Sequence, residues 1–396
     1  MIVRKFKSLF LRIKCKVRKL VIFYKSIYCQ HGNEILLIPP TLLNGSFGDE
    51  LMVVSFLEKY KDRPVTLYTQ KVIIRSDLFK SYSNLSYLPW SVTPNYYKYN
   101  SCYVLGADNM SGTYGNEEVL EKTSILKEAN RHKLSTSILG FSLSSKTTDI
   151  VKKEFKEISS FTSFYLRESD SYARASEFLP EDKISLVADL AFNCPLVPCE
   201  NLAYTEWIKH QKFEGKLIVA ICPNSIHMRG YQDEAYVDQY IDCLKIFAKI
   251  VPTAFVLLYH DIRDLNKGWD DKKISNAIFK KIGNSLSVFF PEEIQNGIEL
   301  KAFLPFVDMT LTSRMHFGIS GISLGKPMFG ITYENKFSGL QRFFEIDPDR
   351  SLVDYKNLEQ VEHVLPLFLQ DLEQNRIKLQ NHLLRVRELS NRNFQH

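Results

Sequence analysis

Short apolar runs alternate with amphipathic stretches along the chain, and this alternation predicts strands and helices in turn. In the first half, apolar runs of strand length stand at residues 34–38, 65–69, 102–106, 135–144, 161–168 and 184–192. Helical patterns lie between several of them, at residues 51–60, 117–132 and 148–159. Strands that alternate with helices are typical of a mostly parallel sheet with helical crossovers. The first half is therefore predicted to be an α/β domain.

The same alternation starts again in the second half. Strand-like runs stand at residues 217–223, 254–260 and 286–290, with helical patterns at residues 234–250 and 272–281. Residues 201–215 have little strand character and are predicted to link the two series. Residues 357–392 have a polar, helical pattern whose apolar stripe is broken by Pro366. Because 396 residues are too many for one average core, we predict several parts. These are a basic segment at 1–30, domains at 31–200 and 201–350, and a helical segment at 351–396.

The second series ends in the most informative stretch, residues 309–336. Its pattern predicts three elements: a strand at 309–312, a helix at 317–324 and a second strand at 328–333. Arg314 and His316 stand where the first strand gives way to the helix, and Lys336 follows the second strand. In parallel α/β sheets, ligands bind beyond the carboxyl ends of the strands, where helix N-termini carry partial positive charge. These three residues therefore predict a site for a small, highly charged anion.

The loop after the first strand predicts a further part of this site. It contains Gly45, Gly48 and Asp49. The two glycines allow the backbone to approach a ligand at a strand-to-helix turn. Asp49 has two interpretations, a helix N-cap or a base directed into the site.

Arg167 repeats the arrangement at Arg314, a cation followed by a turn and a helix start. The alternative is a strand-end arginine paired with Glu168 or Asp170. Asp189 also stands at a strand end, where a structural hydrogen bond and a catalytic role are both open.

Two strands of the second half end in polar loops. The first continues into Asn224 and His227, and the second ends at His260. Each histidine has a structural interpretation and a functional one, and His316 is the histidine that we predict to be catalytic. The histidines lack acidic ligands at metal-like spacing, so no catalytic metal and no cofactor are predicted.

Composition describes an ordinary globular protein, with 45% hydrophobic and 24% charged residues. The seven cysteines are scattered and form no C-x-x-C motif. This argues against a disulfide framework or a structural zinc site, and it favours a reducing compartment.

The net charge of +6 is concentrated at the N-terminus, because residues 1–26 hold nine Lys or Arg and no acid. The remaining chain carries 42 basic and 45 acidic residues, which does not predict a nucleic-acid-binding protein. Apolar residues recur at helical spacing within residues 1–26, which favours a helix lying on an anionic membrane surface. The alternatives are a disordered tail or a helix packed on its own protein. The apolar run at 20–24 is too short to span a bilayer. We predict a cytoplasmic protein, with or without attachment to the inner membrane face.

Several of these residues form motifs that resemble the polysaccharide pyruvyl transferase family. The most specific motifs are Ser313-Arg314-Met315-His316, Gly325-Lys326-Pro327 and Tyr333-x-x-Lys336. Supporting motifs are Gly45-x-x-Gly48-Asp49, Gly140-x-Ser142, Leu166-Arg167-x-Ser169-x-Ser171, Asp189-x-Ala191-Phe192 and Tyr259-His260. The resemblance covers residues 44–344. Ser46 and Tyr259 depart from the family, which usually has Asn and Pro there, and this leaves the acceptor open.

The resemblance implies two Rossmann-like domains in a glycosyltransferase-B-like arrangement, with the active site in the interdomain cleft. It also implies phosphoenolpyruvate as donor and a sugar of a polysaccharide or lipid-linked glycan precursor as acceptor, joined as a pyruvate ketal. The residues expected to bind substrate are Arg167, Arg314, Lys336, Ser313, Gly45, Gly48, His260 and Asn224.

The chemistry of these residues suits that reaction. By analogy with phosphorylated side chains, the phosphate of phosphoenolpyruvate carries about −1.5 to −2 charge, and its carboxylate adds a further negative charge. The three positive charges of Arg167, Arg314 and Lys336 nearly balance this total. His316 is the predicted acid/base, since its ordinary pKa is near neutrality, and Asp49 is predicted to activate the acceptor hydroxyl. Two other functions are open: a glycosyltransferase using a nucleotide sugar on the same architecture, and a non-catalytic membrane-surface scaffold for glycan assembly.

Overall fold

A computed structural model describes most of the chain in two compact units. The described residues are 16–17, 20–21, 31–40, 45–70, 77–113, 115–226, 233–263, 270–332 and 336–395, with the backbone alone for Asp233 and Lys336. The first unit comprises Met1–Leu42 and Phe56–Leu186, and the second comprises Leu43–Ser55 and Val187–His396.

The first unit is built on a seven-stranded parallel sheet with strand order β3-β2-β1-β4-β5-β6-β7. Its strands are β1 (Glu34–Ile38), β2 (Val65–Thr69), β3 (Leu85–Pro89), β4 (Tyr99–Ala107), β5 (Ser135–Phe141), β6 (Thr162–Leu166) and β7 (Ile184–Leu186). Its helices are α1 (Phe47–Lys59), which begins in the second unit, α2 (Glu117–Arg131), α3 (Asp149–Ile158) and α4 (Ser169–Ser176). Short 3-10 turns lie at Asp77–Ser81, Tyr96–Lys98, Asn109–Ser111 and Glu181–Lys183.

The second unit contains a six-stranded parallel sheet with strand order β10-β9-β8-β11-β12-β13. Its strands are β8 (Leu217–Cys222), β9 (Thr253–Leu257), β10 (Ser287–Phe289), β11 (Met309–Thr312), β12 (Met328–Thr332) and β13 (Leu352–Asp354). Its helices are α5 (Leu202–Phe213), α6 (Asp233–Ile250), α7 (Asp271–Ile282), α8 (Gly297–Phe303), α9 (Met315–Ile322), α10 (Lys336–Arg342), α11 (Val361–Gln370) and α12 (Leu372–Asn391). Its 3-10 turns are Leu190–Asn193, Leu304–Phe306, Pro348–Arg350, Leu358–Gln360 and Arg392–Phe394.

Alternate residues of β8 show why the strands of this unit are continuous apolar runs in the sequence. Val219 and Ile221 join one core cluster, whereas Ile218, Ala220 and Cys222 join another on the opposite face. Successive side chains of a strand point to opposite faces of its sheet, so a strand covered by helices on both sides must be apolar throughout.

The predicted elements are found, some with the predicted ends and some with shifted ends. The strands at 34–38 and 309–312 have the predicted bounds. The helix predicted to start at 317 starts at Met315, so His316 lies within the first helical turn and not before it. The helix predicted at 51–60 starts at Phe47, which places Asp49 as the third helical residue and not as the N-cap.

Two predictions about the helical parts of the second unit also change. The segment predicted as a linker forms α5, where Asn201 caps the helix by accepting a hydrogen bond from the Tyr204 N–H. The predicted C-terminal helical segment consists of two helices: Pro366, where the apolar stripe is interrupted, lies inside α11, and Asp371 separates α11 from α12.

Candidate functional site

The middle and the end of α9 are held tightly against the second unit's sheet by two glycines. A Cβ atom at Gly318 would lie 2.2 Å from the Met328 sulfur, and one at Gly321 would lie 2.7 Å from Thr310 Cγ2. Real Cβ contacts are not this close, so only glycine permits this packing. The helix N-cap is Arg314, whose side chain makes no capping hydrogen bond. The first turn of α9 is therefore fixed in place with its backbone N–H groups uncapped by that side chain.

His316, in this first turn, lies beside a buried carboxylate. Its Nε2 atom is 3.3 Å from Oδ2 of Asp189, and the two side chains are 13% and 2% exposed. The other carboxylate oxygen of Asp189 accepts a hydrogen bond from the Ala191 N–H and caps the 3-10 turn that follows. Asp189 thus uses one oxygen for the local backbone and directs the other towards the imidazole.

Gly48 lies against two imidazole rings. A Cβ atom at this position would be 2.4 Å from Nδ1 of His316 and 2.8 Å from Cε1 of His260. The two rings are nearly parallel, with an interplanar angle of 11° and centroids 6.3 Å apart. The Phe47 N–H donates to the His260 carbonyl at 3.0 Å, which fixes the start of α1 here. The structure therefore brings together three of the predicted site residues.

His260 is buried at 4% exposure. Burial, and then the positive neighbours His316, Arg314 and Arg263, lower the pKa of His260 well below its usual range. Its ring is therefore neutral at physiological pH, whereas His316 is placed beside the carboxylate of Asp189.

Gly45 is fixed by the loop that follows His260. Its carbonyl accepts a hydrogen bond from the Ile262 N–H at 2.9 Å, and Ser46 forms an antiparallel bridge with Asp261. Its φ of 98° favours glycine, and a Cβ atom here would be 2.7 Å from Ile262 Cγ1. In this structure the space beside Gly45 and Gly48 is filled by protein side chains.

Arg314 forms a buried ion pair that the sequence pattern did not reveal. Its Nε and Nη2 atoms donate to the two oxygens of Asp271 at 2.8 and 2.6 Å, and Nη1 lies 3.7 Å from Asp261. Asp271 is fully buried and also accepts from the Ser225 and Asp261 N–H groups. Burial lowers the pKa of Arg314, but the two carboxylates outweigh it and raise that pKa above its usual value. The guanidinium therefore stays charged and fixed.

A second arginine completes this network. Arg263 donates to both oxygens of Asp261, at 2.9 and 2.7 Å. Burial lowers the pKa of Arg263, but Asp261 and then Asp49 more than offset this and raise it. Two arginines and two aspartates therefore nearly cancel in charge, which makes this corner less positive than the sequence pattern predicts.

The predicted binding residues Asn224 and Ser313 hold each other. The Asn224 amide donates to the Ser313 carbonyl at 3.2 Å and its oxygen accepts from the Ile226 N–H. Both residues are only 1% exposed. In this structure they shape the turn that carries Arg314.

Arg167, in the first unit, follows β6 and is 2% exposed. Its side-chain Nε atom donates to the Ser142 hydroxyl at 2.7 Å, and its backbone N–H donates to the Phe141 carbonyl. Glu168 caps α4 by accepting from the Ser171 N–H, and burial raises the pKa of that carboxyl group. The predicted order of cation, turn and helix start is therefore found here.

Asp261 and Asp271 were not predicted as partners of Arg314. Asp271 is 43 residues before Arg314 and stands at the start of a helical pattern, where it resembles a helix-capping residue. Asp261 directly follows His260, and that adjacency was the available signal.

Several predictions fall outside the described part of the chain. These are the side chain of Lys336, residue His227, and all but four residues of the basic segment 1–26. Among the described residues, no three His, Cys, Asp or Glu side chains are grouped so that they could hold a metal ion. Over the same described ranges, no helix has the length and apolar character needed to cross a membrane.

Comparison with known proteins adds a family and a set of similar folds. The model of the polysaccharide pyruvyl transferase family matches residues 47–335. A comparison with curated proteins finds no significant match.

Among solved structures, the UDP-GlcNAc 2-epimerase of Neisseria meningitidis bound to UDP-GlcNAc has a TM-score of 0.56 at 13% identity, over 87% of this chain and 94% of that chain. A candidate UDP-N-acetylglucosamine 2-epimerase from Listeria monocytogenes has a TM-score of 0.58 at 11% identity, over 88% and 91%. A UDP-glucosyltransferase from Polygonum tinctorium has a TM-score of 0.56 at 10% identity, over 93% and 98%. These likenesses confirm the predicted fold class, two parallel-sheet, Rossmann-like α/β domains of the glycosyltransferase-B type.

Proposed function

The chain belongs to the polysaccharide pyruvyl transferase family, and from this premise we propose that it uses phosphoenolpyruvate as donor and forms a pyruvate ketal on a sugar. The acceptor sugar belongs to a polysaccharide or to a lipid-linked glycan precursor. The observation that carries the proposal is the placement of His316 beside Asp189, at 3.3 Å, in the first turn of α9. An imidazole beside a carboxylate is suited to proton exchange near neutral pH.

The start of α9 supports binding of the donor anion. Its N-cap side chain does not satisfy the first-turn N–H groups, and helix N-termini with such N–H groups attract phosphates and carboxylates. Arg314 flanks this turn with its charge held in place by Asp271. Because Asp271 balances that charge, the proposal assigns more of the anion binding to the helix N-terminus than the sequence analysis did.

The reaction requires protons to move at defined atoms. Protonation of the methylene carbon of phosphoenolpyruvate makes the neighbouring carbon electrophilic, and one sugar hydroxyl attacks it and loses its proton. The bond from that carbon to the phosphate oxygen then breaks, inorganic phosphate leaves, and a second hydroxyl attacks and loses its proton to close the ketal. We assign one or more of these proton transfers to His316.

The remaining predicted residues keep their roles as part of the proposal. Arg167 and Lys336 add positive charge for the donor. Asp49, at 5% exposure in the first turn of α1, orients an acceptor hydroxyl. His260, which is neutral, offers a hydrogen-bonding ring beside Gly48.

The experiment is incubation of the full-length protein with phosphoenolpyruvate and candidate glycan-lipids, with the added pyruvyl group read by mass and released phosphate measured in parallel. His316→Gln is expected to lower the rate by at least about 100-fold, as is usual for a lost acid/base. Arg167→Lys keeps the charge but loses the planar guanidinium fork, and it is also expected to lower the rate. His210→Gln is the matched control, since the His210 side chain is 67% exposed on α5. Binding of a nucleotide sugar without binding of phosphoenolpyruvate, measured by calorimetry, would favour a glycosyltransferase and overturn the proposal.

A further inference from the structure

Asp189 stands out because it is almost fully buried yet lies at a turn between elements. It is 2% exposed; one carboxylate oxygen accepts from the Ala191 N–H and the other lies beside Nε2 of His316. A buried carboxylate is costly unless it is paired or hydrogen-bonded. The local backbone satisfies one oxygen through the Ala191 N–H, and the other oxygen lies 3.3 Å from Nε2 of His316.

The C-terminal helix holds the backbone of Asp189 in place. The Ser390 hydroxyl, near the end of α12, donates to the Asp189 carbonyl at 2.8 Å. The Asn393 amide donates to the preceding carbonyl, that of Ala188, also at 2.8 Å. Both Ser390 and Asn393 are fully buried. These bonds fix the turn independently of the carboxylate.

The same C-terminal helix also contacts the helix that carries His316. Arg387 of α12 donates through Nη2 to the carbonyl of Ser323, the residue that caps the end of α9. A single helix therefore supports both partners, Asp189 through Ser390 and His316 through Arg387.

We propose that Asp189 is a positioning residue that fixes the tautomer and orientation of His316, with α12 as the support for both. The carboxylate oxygen faces Nε2, so it holds the imidazole proton on that nitrogen and leaves Nδ1 as the proton-accepting atom of the neutral ring. Nδ1 is the atom that lies nearest to Gly48. The catalytic part of this inference rests on the proposed function, whereas the tautomer does not.

Asp189→Asn tests the inference with little change in shape. The asparagine oxygen still accepts from the Ala191 N–H, so its amide NH2 faces Nε2 of His316 and the ring proton must move to Nδ1. The same substitution in Ser-His-Asp triads costs about 10⁴-fold in kcat because it fixes the wrong tautomer. We expect a fall in kcat of at least about 100-fold, with a much smaller change in the KM for phosphoenolpyruvate.

Asp347→Asn is the matched control. Asp347 also caps a 3-10 turn by accepting from the N–H two residues ahead, that of Asp349, but no hydrogen bond or ion pair to an imidazole is found for it within the described residues. Its substitution should leave kcat and unfolding temperature close to those of the wild type.

The tautomer is read without any substrate. Long-range ¹⁵N–¹H NMR spectra at alkaline pH distinguish the two neutral tautomers, and the His316 signals are assigned by their loss in His316→Gln. The expected result is an Nε2–H ring in the wild type and an Nδ1–H ring in Asp189→Asn. The same tautomer in both proteins would overturn the inference. If the wild type transfers no pyruvate, the proposed function fails, and the NMR result still decides the role of Asp189.

Discussion

The first turn of α9 has two sides that hold their basic side chains differently. The arginine side comprises Arg314, Asp271, Asp261 and Ser225, and the histidine side comprises His316, Asp189, Gly48 and His260. On the arginine side, two bonds of 2.8 and 2.6 Å join a guanidinium to a fully buried carboxylate. On the histidine side, one carboxylate oxygen lies 3.3 Å from an imidazole.

This difference separates two tasks within one helical turn. A bidentate arginine–carboxylate pair is rigid and always charged, so it fixes the turn and its local charge. An imidazole beside one carboxylate oxygen is held less rigidly and can act as a proton donor or acceptor. In the proposed function, the arginine side therefore acts mainly by fixing the structure, and the histidine side supplies the proton transfers.

The largest effect is expected from breaking the arginine side. Arg314→Met leaves Asp271 buried without its cation, which should lower the free energy of unfolding by about 3–5 kcal/mol and abolish pyruvyl transfer. Urea unfolding measures the first effect and the transfer assay the second. In Arg314→Met/Asp271→Asn much of the stability should return while activity stays lost. Wild-type stability in Arg314→Met alone would show that the pair is not structural.

Gly48→Ala should damage the histidine side with a smaller loss of stability. The added methyl group meets both rings at under 3 Å, so they must move, and we expect at least about a 10-fold fall in kcat with a loss of about 1–3 kcal/mol. Gly215→Ala is the control, since its φ of 73° makes alanine strained by about 1–2 kcal/mol with no neighbour within 4 Å. Equal activity losses in the two variants would assign the effect to stability alone.

His260 should contribute to the pH dependence of the free energy of unfolding. Its pKa is depressed in the folded protein by burial and by the positive neighbours His316, Arg314 and Arg263, whereas in the unfolded chain it binds a proton below about pH 6.5. The unfolded state then holds more protons, so stability falls as pH drops below that value, by up to about 1.4 kcal/mol per pH unit. Unfolding free energies at neutral and mildly acidic pH should show a shallower decline in His260→Gln. An unchanged slope, equal to that of His210→Gln, contradicts this.

The smallest effect is expected at Ser390. Ser390→Ala removes one hydrogen bond to the Asp189 carbonyl and should cost about 1 kcal/mol with a several-fold fall in kcat. Ser176→Ala, which removes an exposed bond to the Ala173 carbonyl, should change neither. A kcat in Ser390→Ala equal to the wild type would mean that the turn holds Asp189 without help from α12.

The regular elements were predictable because burial on both sheet faces leaves a strong local signal. The strand at 34–38 is mostly apolar and the strand at 309–312 contains two threonines, which are β-branched. The observed bounds of both strands match the predicted ones. The start of α9 was misplaced because Arg314 is not a usual capping residue. The partners of Arg314 and His316 could not be predicted, since Asp271 and Asp189 reach them through the packing of distant segments.

The bonds from Ser390 and Asn393 span 201 and 205 residues of sequence, which has a consequence during synthesis. Chains emerge from the ribosome N-terminus first, and their domains fold progressively. The turn at Asp189 is translated early but gains these two bonds only when the last helix has left the exit tunnel. A chain truncated before these two residues would therefore have a turn at Asp189 that lacks both hydrogen bonds.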